Sequence, residues 1–447
     1  MAENSNQHKN KKGYREGDEN KEDLKSALRA MEKSIRGLGA FHMNACVRCG
    51  LCVDTCHIYM SEPDVENMPA VKAARVMSLF RRYHTLLGKH FPWFVGARDV
   101  TPEVLDELME VVYGRCTACG RCSIHCAVGV DVHTVIRAGR LMCAASGRVP
   151  EGLRKTVNNQ IKTGNQMAIE KTEFLETCEW LSEELALEMK DPEAKIHIDR
   201  KGSRMLYLVN PREIKFFPLS LQAAGGVFHA AGENWTISSA VYDVTNYGFY
   251  AGDDKAAEEL TRRMLEEADR LGVEEVILSE CGHGFRSFRW EGPGWIRKKY
   301  PFPVRSELEL VKEFIEQGRI KVDKAKNRDR VTLHDPCNLV RWGGLAEPQR
   351  WILKRVVEDF REMTPNREHN YCCGGGGGML SMSEYGERRV KSGQIKVDQI
   401  RRTGAKIVAC PCHNCADQLI ELSKVHKLGV EILAVIELVY NALLLEK

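Results

Sequence analysis

Cys46-Val47-Arg48-Cys49-Gly50-Leu51-Cys52-Val53-Asp54-Thr55-Cys56 and Cys116-Thr117-Ala118-Cys119-Gly120-Arg121-Cys122-Ser123-Ile124-His125-Cys126 repeat one spacing, C-x2-C-x2-C-x3-C. A cubane 4Fe–4S cluster needs four thiolates converging on one point. C-x2-C-x2-C supplies three from a single tight loop, and the fourth cysteine ligates the other cluster of a two-cluster domain. The spacing therefore assigns Cys46, Cys49, Cys52 and Cys126 to one cluster and Cys116, Cys119, Cys122 and Cys56 to a second. Zinc knots use two separated C-x2-C pairs, four ligands in total, and eight cysteines in two copies of one spacing fit that poorly.

Between the runs lie 59 residues with helical patterns, Ala70–Leu87 and Pro102–Tyr113 among them. Small bacterial ferredoxins use a shorter spacer of strands and turns, and they follow the fourth cysteine with proline where this chain has His57 and Ala127. The expectation is an all-α two-cluster ferredoxin domain over residues 23–144. Residues 1–22 are polar and charged and read as a disordered tail. Residues 145–202 read as a charged helical connector, Glu170–Met189 in particular. Past Gly202 the short apolar runs Met205–Val209, Val276–Leu278, Val331–Leu333 and Ile407–Ala409 alternate with charged helical stretches, an α/β signature.

The C-terminal half holds a weak internal repeat. Asn370-Tyr371-Cys372-Cys373-Gly374 is followed by a helix, Thr403-Gly404, a short strand and Cys410-Pro411-Cys412-His413-Asn414-Cys415. Asn246-Tyr247-Gly248-Phe249 is followed by a helix, Leu271-Gly272, a short strand and Ser279-Glu280-Cys281-Gly282-His283-Gly284. Superposed, Cys281 falls on Cys412, Gly284 on Cys415, and Met205–Pro211 near Val331–Cys337. This implies a duplicated α/β module, a degenerate first copy over 203–310 and an intact second over 311–447.

The second copy carries Cys337, the adjacent pair Cys372-Cys373, and Cys412-x2-Cys415, with 34 and 38 residues between them. Adjacent cysteines do not readily form a mutual disulfide. Gly374–Gly378 follow the pair, and such a run lets the backbone bend sharply and approach a bulky group. No Gly-Lys-Ser/Thr follows, which excludes a phosphate loop. Cys410, Cys143 and Cys178 read as packing residues. His334, Asp335 and His413 flank the cysteines and suit either hydrogen bonding to cluster sulfurs or ordinary structural use.

Composition narrows the class. Lys and Arg number 65 against 62 Asp and Glu, so no broad basic surface for nucleic acid is expected. The 17 cysteines are clustered, which points to metal ligation, reduced thiols and the cytoplasm. No secretory signal and no bilayer-spanning run is read. Ile432–Leu445 reads as a last packed helix.

The C-x(n)-CC-G-x(n)-C-x2-C pattern resembles the cysteine-rich CCG domain of heterodisulfide reductase, glycolate oxidase and related oxidoreductases. The whole plan resembles the HdrD component of heterodisulfide reductase. It resembles more closely the iron–sulfur subunits of membrane redox complexes in sulfate reducers, namely the tetraheme and high-molecular-weight cytochrome c complexes and the K-type component of the sulfite-reductase-associated complex. The matching stretches are Cys46–Cys56, Cys116–Cys126, Ser279–Arg286, His334–Arg341 and Cys372–Gly376. The short N-terminal extension and complete Cys412-x2-Cys415 lean toward the cytochrome c complexes.

The resemblance implies a noncubane 4Fe–4S cluster on Cys337, Cys372, Cys373, Cys412 and Cys415. It implies that the first-module remnant faces this cluster, with Cys281 an extra ligand, a reactive thiol or a buried residue, and His283 a proton donor or structural. It implies as partners a membrane b-type cytochrome, multiheme cytochrome c subunits and a small sulfur-carrier protein with redox cysteines, at the cytoplasmic face of the membrane. The activity expected is heterodisulfide-reductase-like, two cubane clusters feeding a noncubane site that acts on a disulfide or thiol. The alternative is a non-catalytic relay between a membrane cytochrome and a soluble partner. A third reading, a 2-hydroxy-acid oxidase subunit, needs a separate flavin subunit.

Overall fold

The computed structural model describes residues 21–445. The expected tail over residues 1–22 lies outside them except for Lys21 and Glu22, which begin a helix. The chain divides into two units, residues up to Glu151 with Tyr250–Asp253, and Gly152–Phe249 with Asp254 onward.

Every element of the first unit is helical among the described residues, as the spacer implied. Helix α1 (Pro69–His84) starts with proline, whose missing N–H is no loss in a first turn. Its buried stripe includes Pro69, Ala73, Val76, Met77 and Phe80, the helical period of an amphipathic face. Thr101 Oγ1 caps α2 (Pro102–Met109) by accepting from Val104 N at 3.3 Å. Asp131 caps α3 (Val132–Ala145), accepting from His133 N at 2.9 Å. A Cβ on Gly139 of α3 would lie 2.8 Å from Val112 and 3.1 Å from Val76, so only glycine permits this close approach to α1. The cysteine runs are the loops that lead into α1 and join α2 to α3.

The second unit holds two parallel four-stranded sheets. Strands β1 (Met205–Leu208), β2 (Trp235–Thr236), β3 (Glu275–Leu278) and β4 (Val304–Ser306) lie in the order β2-β1-β3-β4. Strands β5 (Arg330–Leu333), β6 (Asp359–Arg361), β7 (Ile407–Ala409) and β8 (Glu431–Leu433) lie in the order β6-β5-β7-β8, the same topology repeated. Leu208 pairs with Leu278 and Leu333 with Ala409, so the loops after the two central strands leave side by side. The chain then diverges to opposite sides of the sheet. That is a topological switch point, where α/β sheets open a crevice. Cys281 and Cys412 each stand three residues past the strand end, and Arg212 and Cys337 each four past.

The helices around these sheets are α4 (Glu151–Thr163), α5 (Lys171–Met189), α6 (Pro218–Ala230), α7 (Asp254–Leu271), α8 (Glu307–Glu316), α9 (Pro348–Val356), α10 (Gln394–Thr403), α11 (His413–His426) and α12 (Val435–Ala442). Two expectations are refined. Ile432 and Leu433, read as part of a last helix, belong to β8, and Glu437 then accepts from Ala434 N at 2.6 Å to start α12. Of the segment 145–202, read as connector, residues 152–202 are part of the second unit, with Phe174, Cys178 and Leu181 in its core. Among the described residues no helix is long and apolar enough to cross a membrane.

Polar groups of that segment also brace the first module. Buried Asp243 accepts from Gln166 N at 2.7 Å, Gln160 Nε2 at 2.9 Å and Thr245 N at 2.7 Å. Burial nevertheless raises its carboxyl to about 6. Between about pH 4 and 6 the folded chain then keeps a proton that the unfolded chain has released, so this group's contribution falls as pH rises through that window. D243N should remove that slope and, by unmaking an acceptor, cost about 1–3 kcal/mol at pH 7. Denaturant melts of wild type and variant across pH 4–7 measure both.

Candidate iron–sulfur and thiol site

In the first unit the thiols gather in two interleaved groups. Cys52 is pushed up to about 11, chiefly by burial and in smaller part by its neighbours Cys46 and Cys126. Cys122, raised by burial, has Cys119, Cys116 and Cys56 as neighbours. Each group thus draws one cysteine from the other run. Cys49 is exposed. The second group lines a space of about 370 Å³ not filled by protein atoms, together with Lys72 and Arg121. Buried Lys72 donates to Cys56 Sγ at 3.6 Å. Arg140 and Arg121 hold the two loops by donating to Cys116 O at 2.8 Å and Thr55 O at 3.0 Å.

In the second unit Cys337, Cys372, Cys373, Cys412 and Cys415 line one tight pocket with Gly282, His283 and His334. Cys337 follows β5 and Cys412 follows β7, so the switch point brings them together. Cys372 and Cys373 arrive on the long loop after β6. The glycines behind them fit against helices: a Cβ on Gly375 would lie 2.9 Å from Gln418 of α11, and Gly374 has φ +102°. Hydrogen bonds from Cys372 and Cys415 hold Cys373 well below the ordinary thiol range, and bonds from Cys281 and Cys415 do the same for Cys412. Cys410, expected as mere packing, also hydrogen-bonds Cys415. Five or more converging sulfurs, soft donors without a carboxylate among them, suit an iron–sulfur group. Cys143 and Cys178 sit apart and buried, Cys178 within the apolar core.

His334 is buried, and burial lowers it to about 3, so it is neutral. One of its ring nitrogens, Cys373 Sγ and Cys415 Sγ lie within 4.8 Å of one another, a set able to hold a metal ion. Cys281 and His283 enter from the first module. Glu280 anchors their loop, its carboxylate accepting from Val435 N at 2.9 Å and Ile436 N at 2.6 Å. Cys281, raised by burial, hydrogen-bonds Cys412, as does His283. Asn414 Nδ2 lies 2.8 Å from His283 Nδ1, and Arg212 Nε donates to Asn414 Oδ1 at 2.9 Å. With Asn414 so held, His283 carries its proton on Nε2. Arg212, which also pairs with Asp417, stands at the register position that Cys337 holds in the second module. His413 turns to Glu213, with 3.3 Å between Nδ1 and the carboxylate.

Sequence reading missed Lys72, Lys396, Arg212 and Arg350. Lys396 is wholly buried, donates to Asn370 Oδ1 at 2.7 Å and Gln399 Oε1 at 2.6 Å, and is lowered to about 8 by burial. Lys72 and Lys396 both fall on the apolar phase of their helices, beside Ala73 and Val76 and beside Val397 and Ile400, a signal the sequence does carry. Arg350 and Asp335 form a bidentate pair at 2.8 and 2.6 Å, both side chains about 1% exposed. Asp335 further accepts from Arg367 N at 2.7 Å, and its carbonyl from Asn370 Nδ2 at 2.8 Å. This brace joins the Cys337 loop to the segment entering Cys372. R350M, which strands a buried carboxylate, should cost about 3–5 kcal/mol. Thermal melts should show that loss in the second unit, and R350M/D335L should recover part of it.

Comparison with known proteins agrees with this geometry. Residues 42–130 match the 4Fe-4S dicluster domain, and residues 331–420 match the cysteine-rich domain. The chain is 29% identical to the Hdr-like menaquinol oxidoreductase iron-sulfur subunit 2 of Archaeoglobus fulgidus, over 94% of this chain and 83% of that one. It is 26% identical to the HdrD component of the dihydromethanophenazine:CoB–CoM heterodisulfide reductase of Methanosarcina barkeri, over 92% of this chain and 96% of that one. A probable membrane-anchored ferredoxin of Chromohalobacter salexigens is 24% identical over 84% of this chain and 56% of its own length. With a 4Fe-4S dicluster domain and a cysteine-rich domain in one chain, this is an iron–sulfur electron-transfer protein, similar over most of its length to Hdr-like iron–sulfur subunits and to the HdrD component of heterodisulfide reductase.

Proposed function

We propose that this chain is the disulfide-acting iron–sulfur subunit of a membrane-associated respiratory complex. In this reading residues 23–144 hold two cubane clusters, one on Cys46, Cys49, Cys52 and Cys126 and one on Cys116, Cys119, Cys122 and Cys56. The intact module, residues 311–447, holds a noncubane 4Fe–4S cluster on Cys337, Cys372, Cys373, Cys412 and Cys415. The observation that carries the reading is the convergence of those five thiols on one pocket that His283 lines from the other module, with Cys281 hydrogen-bonded to Cys412 behind it. When bound, the clusters supply one-electron storage and, at the third site, iron to which a substrate sulfur binds. The partners are a membrane b-type cytochrome, multiheme cytochrome c subunits and a small sulfur-carrier protein, at the cytoplasmic face.

Cleaving a disulfide consumes two electrons and two protons and releases two thiols. A quinol on the membrane side, the substrate for which the Archaeoglobus relative is named, supplies two electrons on oxidation. Cys281 and His283 both hydrogen-bond Cys412 from the first module and so position that sulfur, while the two protons the released thiols take up come from solvent. Arg212 and Asn414 keep the His283 ring in the orientation that leaves Nε2 protonated.

The test is paramagnetic resonance of the cluster-loaded protein, oxidised with and without a thiol. The expected result is a thiol-dependent paramagnetic state that C372S abolishes and C126S leaves in place while removing one cubane signal. A state unchanged by C372S overturns the site assignment. No response to any thiol or disulfide leaves the chain a relay between a membrane cytochrome and a soluble partner.

A further inference from the structure

Arg81–Arg98 reads Arg-Arg-Tyr-His-Thr-Leu-Leu-Gly-Lys-His-Phe-Pro-Trp-Phe-Val-Gly-Ala-Arg, with three arginines, one lysine, two histidines and no Asp or Glu. The structure folds it into a tight helical hairpin at the end of α1. Thr85 Oγ1 caps the first short helix, Leu86–His90, by accepting from Gly88 N at 3.0 Å. A second, Pro92–Val95, ends at Gly96, whose φ of +60° is the left-handed conformation that closes such a turn. Arg82 donates to Gly88 O and Lys89 O, Arg81 to Val95 O at 3.1 Å, and Tyr83 OH accepts from Val100 N at 3.0 Å. The backbone is thus clamped from α1, while the large apolar side chains face outward. Leu86, Trp93 and Phe94 are 79, 75 and 76% exposed, and Leu87 and Phe91 about half.

A fixed hairpin that holds five large apolar groups in water is not ordinary loop chemistry. Arg82 and Arg98 pair with Asp99 and Glu107, each at 2.7 Å, so the basic groups at the tip are Lys89 and His90; aromatic rings with these beside them match the composition of elements that sit at a membrane–water interface. A soluble acidic partner would pair with the basic groups and leave Trp93 and Phe94 wet. We propose that the Thr85–Gly96 hairpin seats the first unit on an anionic phospholipid surface, with Trp93 and Phe94 entering the headgroup boundary.

The hairpin also marks which cysteine run faces that surface. Gly96 and Arg98 at its foot line one groove with Arg48 and Gly50 of the first run. Arg81, bonded to Val95 O, is within electrostatic reach of Cys46. In that run Cys49 is exposed, as are Val47 and Leu51 at 67 and 62%. Seating the hairpin therefore brings the outer cysteine run, not the enclosed second one, to the membrane side for electron exchange.

The proposal deepens the reading above by naming its membrane face, and it does not use the third cluster. The experiment is sedimentation of the full, cluster-loaded chain with vesicles of phosphatidylglycerol and phosphatidylcholine, and with phosphatidylcholine alone. Wild type should pellet with the anionic vesicles and less so at high salt. W93S/F94S should lose roughly tenfold or more in partitioning, and K89Q roughly fivefold, with cluster spectra unchanged. Brominated lipid should quench a tryptophan component that W93F lacks. Sedimentation of W93S/F94S equal to wild type overturns the proposal. Failure of wild type to bind protein-free anionic vesicles also overturns it, and assigns the hairpin to a protein partner. Either result leaves the thiol-dependent resonance test untouched, so the two readings fail separately.

Discussion

The Asp335 carboxylate is out of reach of water, and its charge is tolerable only because Arg350 meets it with two parallel hydrogen bonds. The arginine in turn holds Glu362, beyond β6, at 2.8 Å. The same carboxylate takes Arg367 N, and the peptide oxygen of Asp335 takes Asn370. Three separate stretches, the β5 loop, α9 and the approach to Cys372, are therefore fixed to one point. Cys337 lies two residues after Asp335 and Cys372 two after Asn370. Thiols that must meet around one group are delivered by chain segments whose positions this pair determines, which is why the site can tolerate an irregular glycine-rich loop between them.

Duplication explains the other half of the site. Both modules keep the strand order and the offsets from strand end to loop residue, yet at those offsets the first carries one cysteine, Cys281, where the second carries Cys337 and Cys412. Arg212 now stands where Cys337 would, and Cys281 alone keeps its register with Cys412. Arg212 and His283 of the first module alternate with Asp417 and Asn414 of α11 in a chain, Asp417 to Arg212 to Asn414 to His283, that ends at Cys412. One module thus positions the surroundings of the other module's thiols.

The cysteine spacings and the short β-branched runs were legible because each is local: a loop that wraps a cluster and a strand buried on both faces are written within a dozen residues. The repeat was legible for the same reason. Asp335–Arg350 was not, because a charge pair fifteen residues apart leaves no periodic trace. Arg212–Asn414 spans 202 residues and His283–Asn414 spans 131, distances that only the fold closes. Ile432–Leu433 was misread because two apolar residues before a helix start look like more helix until the neighbouring strand β7 claims them. The 145–202 segment looked inert since its role rests on buried amides, Gln160 and Gln166, rather than on any motif.

Burial of sulfur carries an electrostatic cost that the chain meets differently at each place. Clustered thiolates repel one another and lose hydration, the cause of the raised Cys122 and Cys116. Lys72 answers this from inside the second cysteine group, bonded to Cys56 and near Cys116 and Cys122. Lys396 takes the same part beside Cys372 and Cys373, itself stabilised by those sulfurs and by Asp335 against the burial that lowers it. The first run has no buried lysine of this kind among the described residues. It instead opens to solvent at Cys49, with Arg48 exposed and Arg81 near Cys46. A site screened by water and mobile side chains is one that a partner's surface can approach and desolvate. The two screened by fixed internal cations are insulated from that change. The placement of the two buried lysines, Lys72 and Lys396, more than the cysteine count, separates the outward-facing sulfur group from the enclosed ones.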